Sequence, residues 1–299
     1  FKEYSLWCVY FTPAYNRGYI IEKLYRSLQN QTFRNFEWLI IDDGSSDNTS
    51  EKIQSFIQDN NDFPIIFEKV ENGGKHRAIN LGVQKARGEL FFIVDSDDYL
   101  TNTSLEIVDQ VEKAIPKEQK KNFAGICGER GYSENEIMGT TFKGDVIDIT
   151  SLERMKYGIT GDKAEVFYTK VIKQYPFPEF EGEKFLTECI VWDRIAAAGY
   201  KLRYFNKIIY ICDYLPDGLT MNSEKMFLTS PKGYGLFLYQ EKLYHKMTGL
   251  KMWNQYLQYY YKLRNKYSFM QIARNVHMNP VILYFRLTGM KLFYKIYDK

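Results

Sequence analysis

The stretch FFIVDSDDYL, Phe91 to Leu100, ends an apolar run on three carboxylates, Asp95, Asp97 and Asp98. The run reads as a buried strand, and like charges gathered at its end require something positive to offset them. Asp95 and Asp97, with Ser96 between them in a strand-end turn, can present oxygens to one hard divalent cation. Mg2+ or Mn2+ favours such ligands and completes its shell with substrate phosphates. A cap for the helix starting in SDDYLTNTSLEIV is the plainer use of the same acids, and the short motif alone leaves both uses open. No acidic ladder with a mid-loop glycine and a terminal Glu is present, which excludes an EF-hand.

Two more polar clusters close apolar runs. TPAYN follows Leu6–Phe11, and DDGSSD follows Glu37–Ile41. Asp42 and Asp43 suit a turn and cap, or a carboxylate accepting hydrogen bonds from a base N–H or a ribose hydroxyl. The glycine-rich NGGKHRAINLG contains neither G-x-G-x-x-G nor G-x-x-x-x-G-K-[ST], so a dinucleotide fingerprint and a P-loop are both excluded. Lys75, His76 and Arg77 at the start of a helix could meet a base or phosphate. His76 alone reads as a surface histidine.

The elements that must position these clusters alternate. The first strand, Leu6–Phe11, is expected to break at Pro13; YIIEKLYRSLQNQ then carries Ile21, Leu24, Tyr25 and Leu28 on one helical face. The Glu37–Ile41 strand leads to a helix over SEKIQSFIQDN, capped by Asp47 or a neighbouring Ser. FPIIFEKV, a Gly-opened helix and LFFIVDSDD complete the series. Strands and helices in this order predict an α/β fold, a Rossmann-like, mostly parallel sheet with helices on both faces. Ligands in such sheets sit at the carboxyl ends of the strands, so the three polar clusters should converge on one crevice. Beyond about residue 120 short strands and turns are expected. EKFLTECIVWDRIAAAGYK should form a helix closed by Gly199, and LRYFNKIIYICDYL a strand. Helices should follow from about Lys225, broken near Pro231 and Pro280.

The combination resembles family 2 glycosyltransferases of the GT-A fold. It is carried by FTPAYNRGYIIEKLYRSLQNQTFRNFEWLIIDDGSSDNT and ENGGKHRAINLGVQKARGELFFIVDSDDYL, in the family's order and spacing over roughly residues 5 to 105. The resemblance implies an inverting, bacterial polysaccharide-type enzyme that moves a hexosyl- or N-acetylhexosaminyl-type sugar from a nucleotide-diphosphate donor, UDP-linked by expectation. The acceptor would be a glycan or lipid-linked glycan. Pro13, Tyr15 and Asp43 would then hold the base, with Asn16 also in the nucleotide-sugar site. Lys75 and Asn80 would line the nucleotide pocket. Asp95 and Ser96 would face the ribose or sugar, while Asp97, with Asp98, would hold Mn2+ or Mg2+ on the diphosphate. Ala14 stands where the family more often has Thr.

Aligning Arg194 with the family's helical arginine puts Thr187 on its Glu and Glu188 on its Asp. Glu188 is therefore the expected general base, with Glu183 and Asp193 in reserve. Asp162 and Asp217 suit substrate contacts or simple turns. A nucleotide-sugar-binding module without turnover, or a nucleotidyltransferase relative, is the alternative; only a transferase needs Glu188.

At 299 residues the chain exceeds one ordinary core, so one large domain with an appended element is expected. The expected division is a nucleotide-sugar-binding half at 1–105, an acceptor-binding half of the same domain at 106–224, and a C-terminal helical extension at 225–299. Hydrophobic residues make up 45% and charged residues 26%, which excludes a disordered chain. Cys8, Cys127, Cys189 and Cys212 have no metal-like spacing and suit reduced thiols in a cytoplasmic protein. The N-x-[ST] triplets at Asn30, Asn48 and Asn102 carry little weight as glycan acceptors. No run approaches the ~20 apolar residues of a membrane span. The chain begins at Phe1, and a short leader is expected to be missing from it.

Charge is uneven. Residues 225–299 hold thirteen Lys/Arg against Glu241 and Asp298, a balance of +11 that leaves −8 on the rest of a chain whose net charge is +3. Seventeen aromatics lie in the same segment. It could rest peripherally on the inner face of the cell membrane, or pack on the protein or on a second copy in a homodimer. No nucleic-acid motif is present, so a nucleic-acid partner is not expected.

Overall fold

A computed structural model describes residues 6–213, 227–246 and 248–297, with side chains through Met290. These residues form two compact units. The first takes in the chain through Phe177 together with the segment from Arg194 to Asp213; the second holds Pro178–Asp193 and the described residues from Phe227 onward.

The first unit is built on a ten-stranded sheet in the order β3-β2-β1-β4-β9-β6-β10-β5, with β7 beside β6 and β8 beside β10. Its strands are β1 (Cys8–Ala14), β2 (Phe36–Asp42), β3 (Ile65–Lys69), β4 (Leu90–Ile93), β5 (Tyr99–Leu100), β6 (Phe123–Ser133), β7 (Glu136–Ile137), β8 (Val146–Ile149), β9 (Lys163–Tyr168) and β10 (Lys201–Ile211). Between them lie α1 (Ile21–Gln29), α2 (Thr49–Gln58), α3 (Lys75–Lys85), α4 (Ser104–Lys113) and the single turn α5 (Thr169–Ile172). β3, β2, β1 and β4 are parallel, as the strand–helix alternation predicts. β1, β2 and β4 are buried throughout because helices cover the sheet.

From β9 onward the pairing is mixed: β9 runs antiparallel to β4 and β6, whereas β6 and β10 are parallel. Short strands such as β7 are joined by tight turns, which only antiparallel pairs allow. β6 is eleven residues long, where the sequence suggested only short strands and turns.

Three local expectations are corrected. Pro13 does not break β1, which pairs with β2 through Ala14. The Phe11 carbonyl faces β4 and accepts from Val94, while that of Ala14 faces β2 and accepts from Asp43. Pro13 therefore faces the β4 side, where pairing has already ended, and its missing N–H leaves no ladder bond unmade. His76 is buried, not on the surface, because His76, Ile79 and Val83 recur at helical spacing on the inner face of α3. The helix expected over 183–198 forms only as α6 (Cys189–Ala197); Gly199 closes it at φ +90°.

The second unit contains α7 (Pro231–Leu243), α8 (Gly249–Leu263), α9 (Phe269–Asn275) and α10 (Pro280–Tyr297). Pro231 and Pro280 stand at helix starts, where a missing N–H is harmless. Its core joins Leu238, Tyr256, Leu257, Leu263, Ile272, Leu283 and Leu287, so these helices pack on one another. No helix among the described residues is long and apolar enough to cross a membrane.

Gly82 decides how closely α3 approaches β1: a methyl there would lie 2.1 Å from the Phe11 ring. Ala normally favours a helix over Gly by about 1 kcal/mol. Overpacking should reverse the sign here, and Gly82→Ala is expected to destabilise by about 1–3 kcal/mol. A denaturant midpoint that rises in the variant would show that the helix backs away freely.

Candidate active site

The parallel half of the sheet brings the loops after β1, β2, β3 and β4 to one end, and their side chains tie them together. The backbone N–H of Asn16 donates to Ser45 Oγ (2.8 Å), and Asn16 Oδ1 accepts from the Ser46 N–H (2.8 Å). Asn16 holds this position at φ +53°, a left-handed geometry that Asn tolerates. Asp43 is buried; its carboxylate accepts from the N–H groups of Gly73 (2.7 Å) and Gly74 (2.8 Å) and so fixes the glycine loop ahead of α3. Asp42 accepts from the Ser45 N–H (2.8 Å) and the Ser50 hydroxyl (2.6 Å), a turn-and-cap use. Asp47 serves the same end by accepting from the Thr49 N–H (3.0 Å) at the start of α2. Pro13 is buried beneath these loops, whereas Tyr15 is exposed.

The three carboxylates after β4 meet different fates. Asp95 lies 2.6 Å from Lys75 Nζ and 3.8 Å from Arg130. Burial works to raise its pKa, but Lys75 and Arg130 outweigh that and hold it below the usual carboxylate range. Asp98 turns inward: its Oδ2 accepts from the Tyr210 hydroxyl (2.7 Å) and its Oδ1 from the Asp213 N–H (2.9 Å). Tyr210 in turn accepts from the Asp95 N–H (2.9 Å), so one phenol links both ends of the turn. Burial and then the charge of Asp95 push the Asp98 carboxyl up to about 7.

Asp97 lies 3.9 Å from Arg17, and its side chain keeps 19% of its surface accessible. Burial first, and the Asp95 charge second, raise its pKa. A partly accessible, oxygen-only donor of this kind fits a hard divalent cation. Among the described residues no three His, Cys, Asp or Glu side chains form a closed metal cage.

The helix-cap use of Asp98 is overturned, since α4 begins at Ser104 after Thr103. Ser96 is buried in the turn. Asn80 exchanges two hydrogen bonds with the backbone of Phe177, at 2.9 and 2.8 Å, and thereby ties α3 to the segment after α5. Arg130 and Tyr210 escaped the sequence reading. Each comes from a strand of the second half with no motif around it; an arginine inside the buried run AGICGERGY is the signal that flags one of them. Asp162 is exposed in the turn before β9. Asp217 lies outside the described residues.

In the second unit, Glu188 is half-buried, and its carbonyl accepts from Val191 (2.9 Å) and Trp192 (3.2 Å) at the first turn of α6. The two reserve acids have firm structural partners. Glu183 accepts from the N–H groups of Lys232 (2.8 Å) and Gly233 (2.9 Å) at the start of α7, where the helix dipole favours a carboxylate. Asp193 lies 2.9 Å from His245 Nε2. All four cysteines are free.

The family model described as glycosyl transferase family 2 matches residues 10–163, just over half of the chain. An uncharacterized glycosyltransferase of Haemophilus influenzae is 35% identical over 181 residues, 60% of this chain and 69% of that protein. Glycosyltransferase GlyG of Streptococcus pneumoniae is 34% identical over 98 residues, 33% of this chain. The Campylobacter jejuni GalNAc(5)-diNAcBac-PP-undecaprenol beta-1,3-glucosyltransferase is 25% identical over 60% of this chain. The matched region spans only 32% of the pneumococcal protein and 56% of the Campylobacter one.

Among solved structures, Staphylococcus aureus TarS 1–349 in complex with UDP-GlcNAc superposes with TM-score 0.55 at 17% identity, covering 90% of this chain and 70% of TarS 1–349. The mannosyltransferase PcManGT of Pyrobaculum calidifontis, in complex with GDP-Man and Mn2+, gives TM-score 0.54 at 15% identity, covering 99% of this chain and 83% of that one. The fold is thus the GT-A fold that the motifs implied.

The Asp193–His245 pair makes a pH-dependent contribution to stability. The hydrogen bond to Asp193 is the main cause that raises the His245 pKa, with the charges of Asp193 and Glu241 adding to it. A raised folded-state pKa means that the stabilisation is complete below the unfolded value of about 6.5 and is lost as pH rises through the folded one. Wild-type thermal midpoints should therefore fall over that rise more steeply than those of His245→Gln. Parallel curves for the two proteins would refute the coupling.

Proposed function

The chain belongs to glycosyltransferase family 2, and on that premise we propose that it moves a sugar from a UDP-linked donor to a saccharide or lipid-linked saccharide, with inversion at the anomeric carbon. The observation that carries this reading is the acidic turn after β4, where Asp95 is held by Lys75 and Arg130 while Asp97, beside Arg17, stays partly accessible. Family membership, the resemblance of the glycine loop and acidic turn, and the UDP-GlcNAc complex of a structural neighbour support the choice of donor.

In this reading the exposed ring of Tyr15 lies against the base, above Pro13, and Asp43 orders the glycine loop that borders it. Asn16 keeps the β1 and β2 loops in register. Asp95, fixed as a carboxylate by its two cations, accepts hydrogen bonds from ribose or sugar hydroxyls, beside Ser96. Lys75 and Arg130 place fixed positive charge at the same end of the sheet. Asp97 would hold the divalent cation, Mn2+ or Mg2+, with Asp98 behind it shaping the turn. When bound, that ion offsets the negative charge that develops on the departing diphosphate.

Glu188 is proposed as the base that removes the acceptor hydroxyl's proton as the hydroxyl oxygen attacks, help typically worth ~10²–10⁴-fold. Displacement from the face opposite the leaving diphosphate gives the inverted linkage. The free thiols suit a reducing, cytoplasmic setting.

Titration calorimetry and turnover separate the roles. Asp97→Asn should abolish the Mn2+-dependent part of UDP-sugar binding. Glu188→Gln should bind donor as the wild type does while losing about 10²–10⁴ in turnover. Near-normal turnover in Glu188→Gln would move the base elsewhere, and metal-independent donor binding in the wild type would remove Asp97 from its role.

A further inference from the structure

We propose that the second unit docks onto an anionic lipid surface through a stripe of aromatic side chains on α8, α9 and α10. The stripe is continuous. Ring centroids are 5.7 Å apart for Tyr261 and Tyr260, 5.9 Å for Tyr260 and Phe269, 6.4 Å for Phe269 and Tyr284, and 5.8 Å for Tyr284 and Phe285. Its outer members are open to solvent, with Tyr284 at 59% and Phe285 at 68% of full exposure. Met270, Val281 and Ile282 add exposed aliphatic surface beside it.

Tyr260 and Phe269 pack partly against the core of the unit, but folding does not account for the outer side chains. On α10, Leu283, Leu287 and Met290 recur at helical spacing and enter the core, whereas Val281, Ile282, Tyr284 and Phe285 stay outside it. Single exposed apolar residues are ordinary, but a contiguous group of this kind marks a contact surface.

Charge selects the occupant. From Lys242 to Tyr297 the sequence contains no Asp or Glu. Lys262, Arg264, Lys266, Arg274 and Arg286 are exposed in the same part of the chain, and the Arg264 guanidinium lies 4.8 Å from the Tyr261 ring centre. A second copy docking through the same face would bring two acid-free, cationic surfaces together without a counter-charge. A single-stranded nucleic acid would use the rings and the cations but gives no role to Met270, Val281 and Ile282. A membrane interface uses all three kinds of group: aliphatic side chains reach the acyl boundary, rings sit at headgroup depth, and Lys and Arg meet anionic headgroups. The proposal goes beyond the donor-site reading and stands without it, because its test contains no nucleotide.

The full chain is sedimented with vesicles of phosphatidylcholine alone and of phosphatidylcholine with phosphatidylglycerol. The expected result is partition onto the anionic vesicles, weakening as salt rises, and falling about tenfold or more in Tyr284→Ser/Phe285→Ser and in Lys262→Glu/Arg264→Glu. Circular dichroism melting checks that each variant folds, and Ile282→Ser alone replaces the ring variant if it does not. Equal affinity of the wild type for both vesicle types, or no binding, overturns the proposal. So does a dimer, seen by sedimentation velocity, that the ring variant dissolves. Binding to a labelled single-stranded oligonucleotide, lost in the ring variant while vesicles go unbound, likewise overturns it.

Discussion

The arrangement of the first unit depends on offsetting the charge of Asp95, Asp97 and Asp98 at the end of β4. Two unit charges about 4 Å apart interact by about 4 kcal/mol at the effective dielectric of a protein surface. Three carboxylates within four residues are therefore a substantial cost to the fold unless it supplies cations and donors. Lys75 comes from the start of α3, Arg130 from β6, Arg17 from the loop after β1, and the Tyr210 hydroxyl from β10. The compensation is uneven: Lys75 and Arg130 hold Asp95 below the usual carboxylate range, whereas burial and the Asp95 charge raise both Asp97 and Asp98.

This explains why the sheet changes character where it does. Parallel strands place their carboxyl ends side by side, and that alone gathers the loops that hold Tyr15, Asp43 and the glycine turn. Reaching Asp95 from the far side requires a strand that ends near it, and β6 and β10, parallel to each other, bring Arg130 and Tyr210 there together. The Arg130 guanidinium lies 4.1 Å from the Tyr210 ring centre, so the cation and the phenol that serve the acidic turn also brace each other.

The convergence of the three polar loops was legible in the sequence because it follows from strand order and from apolar runs that end in polar residues. The acidic turn was legible as a problem of charge, but its solution was not. Arg130 and Tyr210 lie 35 and 115 residues from Asp95 and meet it only through non-local pairing, which no local pattern encodes. The same limit applies to Asn80, whose place in a motif says nothing of its partner Phe177. The misread of Pro13 has a different origin. A rule about proline in strands depends on which edge the residue faces, and that edge is set by where β4 stops. His76 was misjudged by residue type when its spacing with Ile79 and Val83 already pointed inward.

The two units solve opposite electrostatic problems. The first gathers acids at the end of a sheet and imports cations to hold them. The second, from Lys242 to Tyr297, contains no acids, and its buried core is apolar. Selection for solubility alone would intersperse both signs, because mixed surfaces avoid large single-sign fields. A 56-residue stretch without Asp or Glu, on helices that also carry exposed rings, departs from that pattern, and the lipid docking we propose would supply its counter-charge from outside.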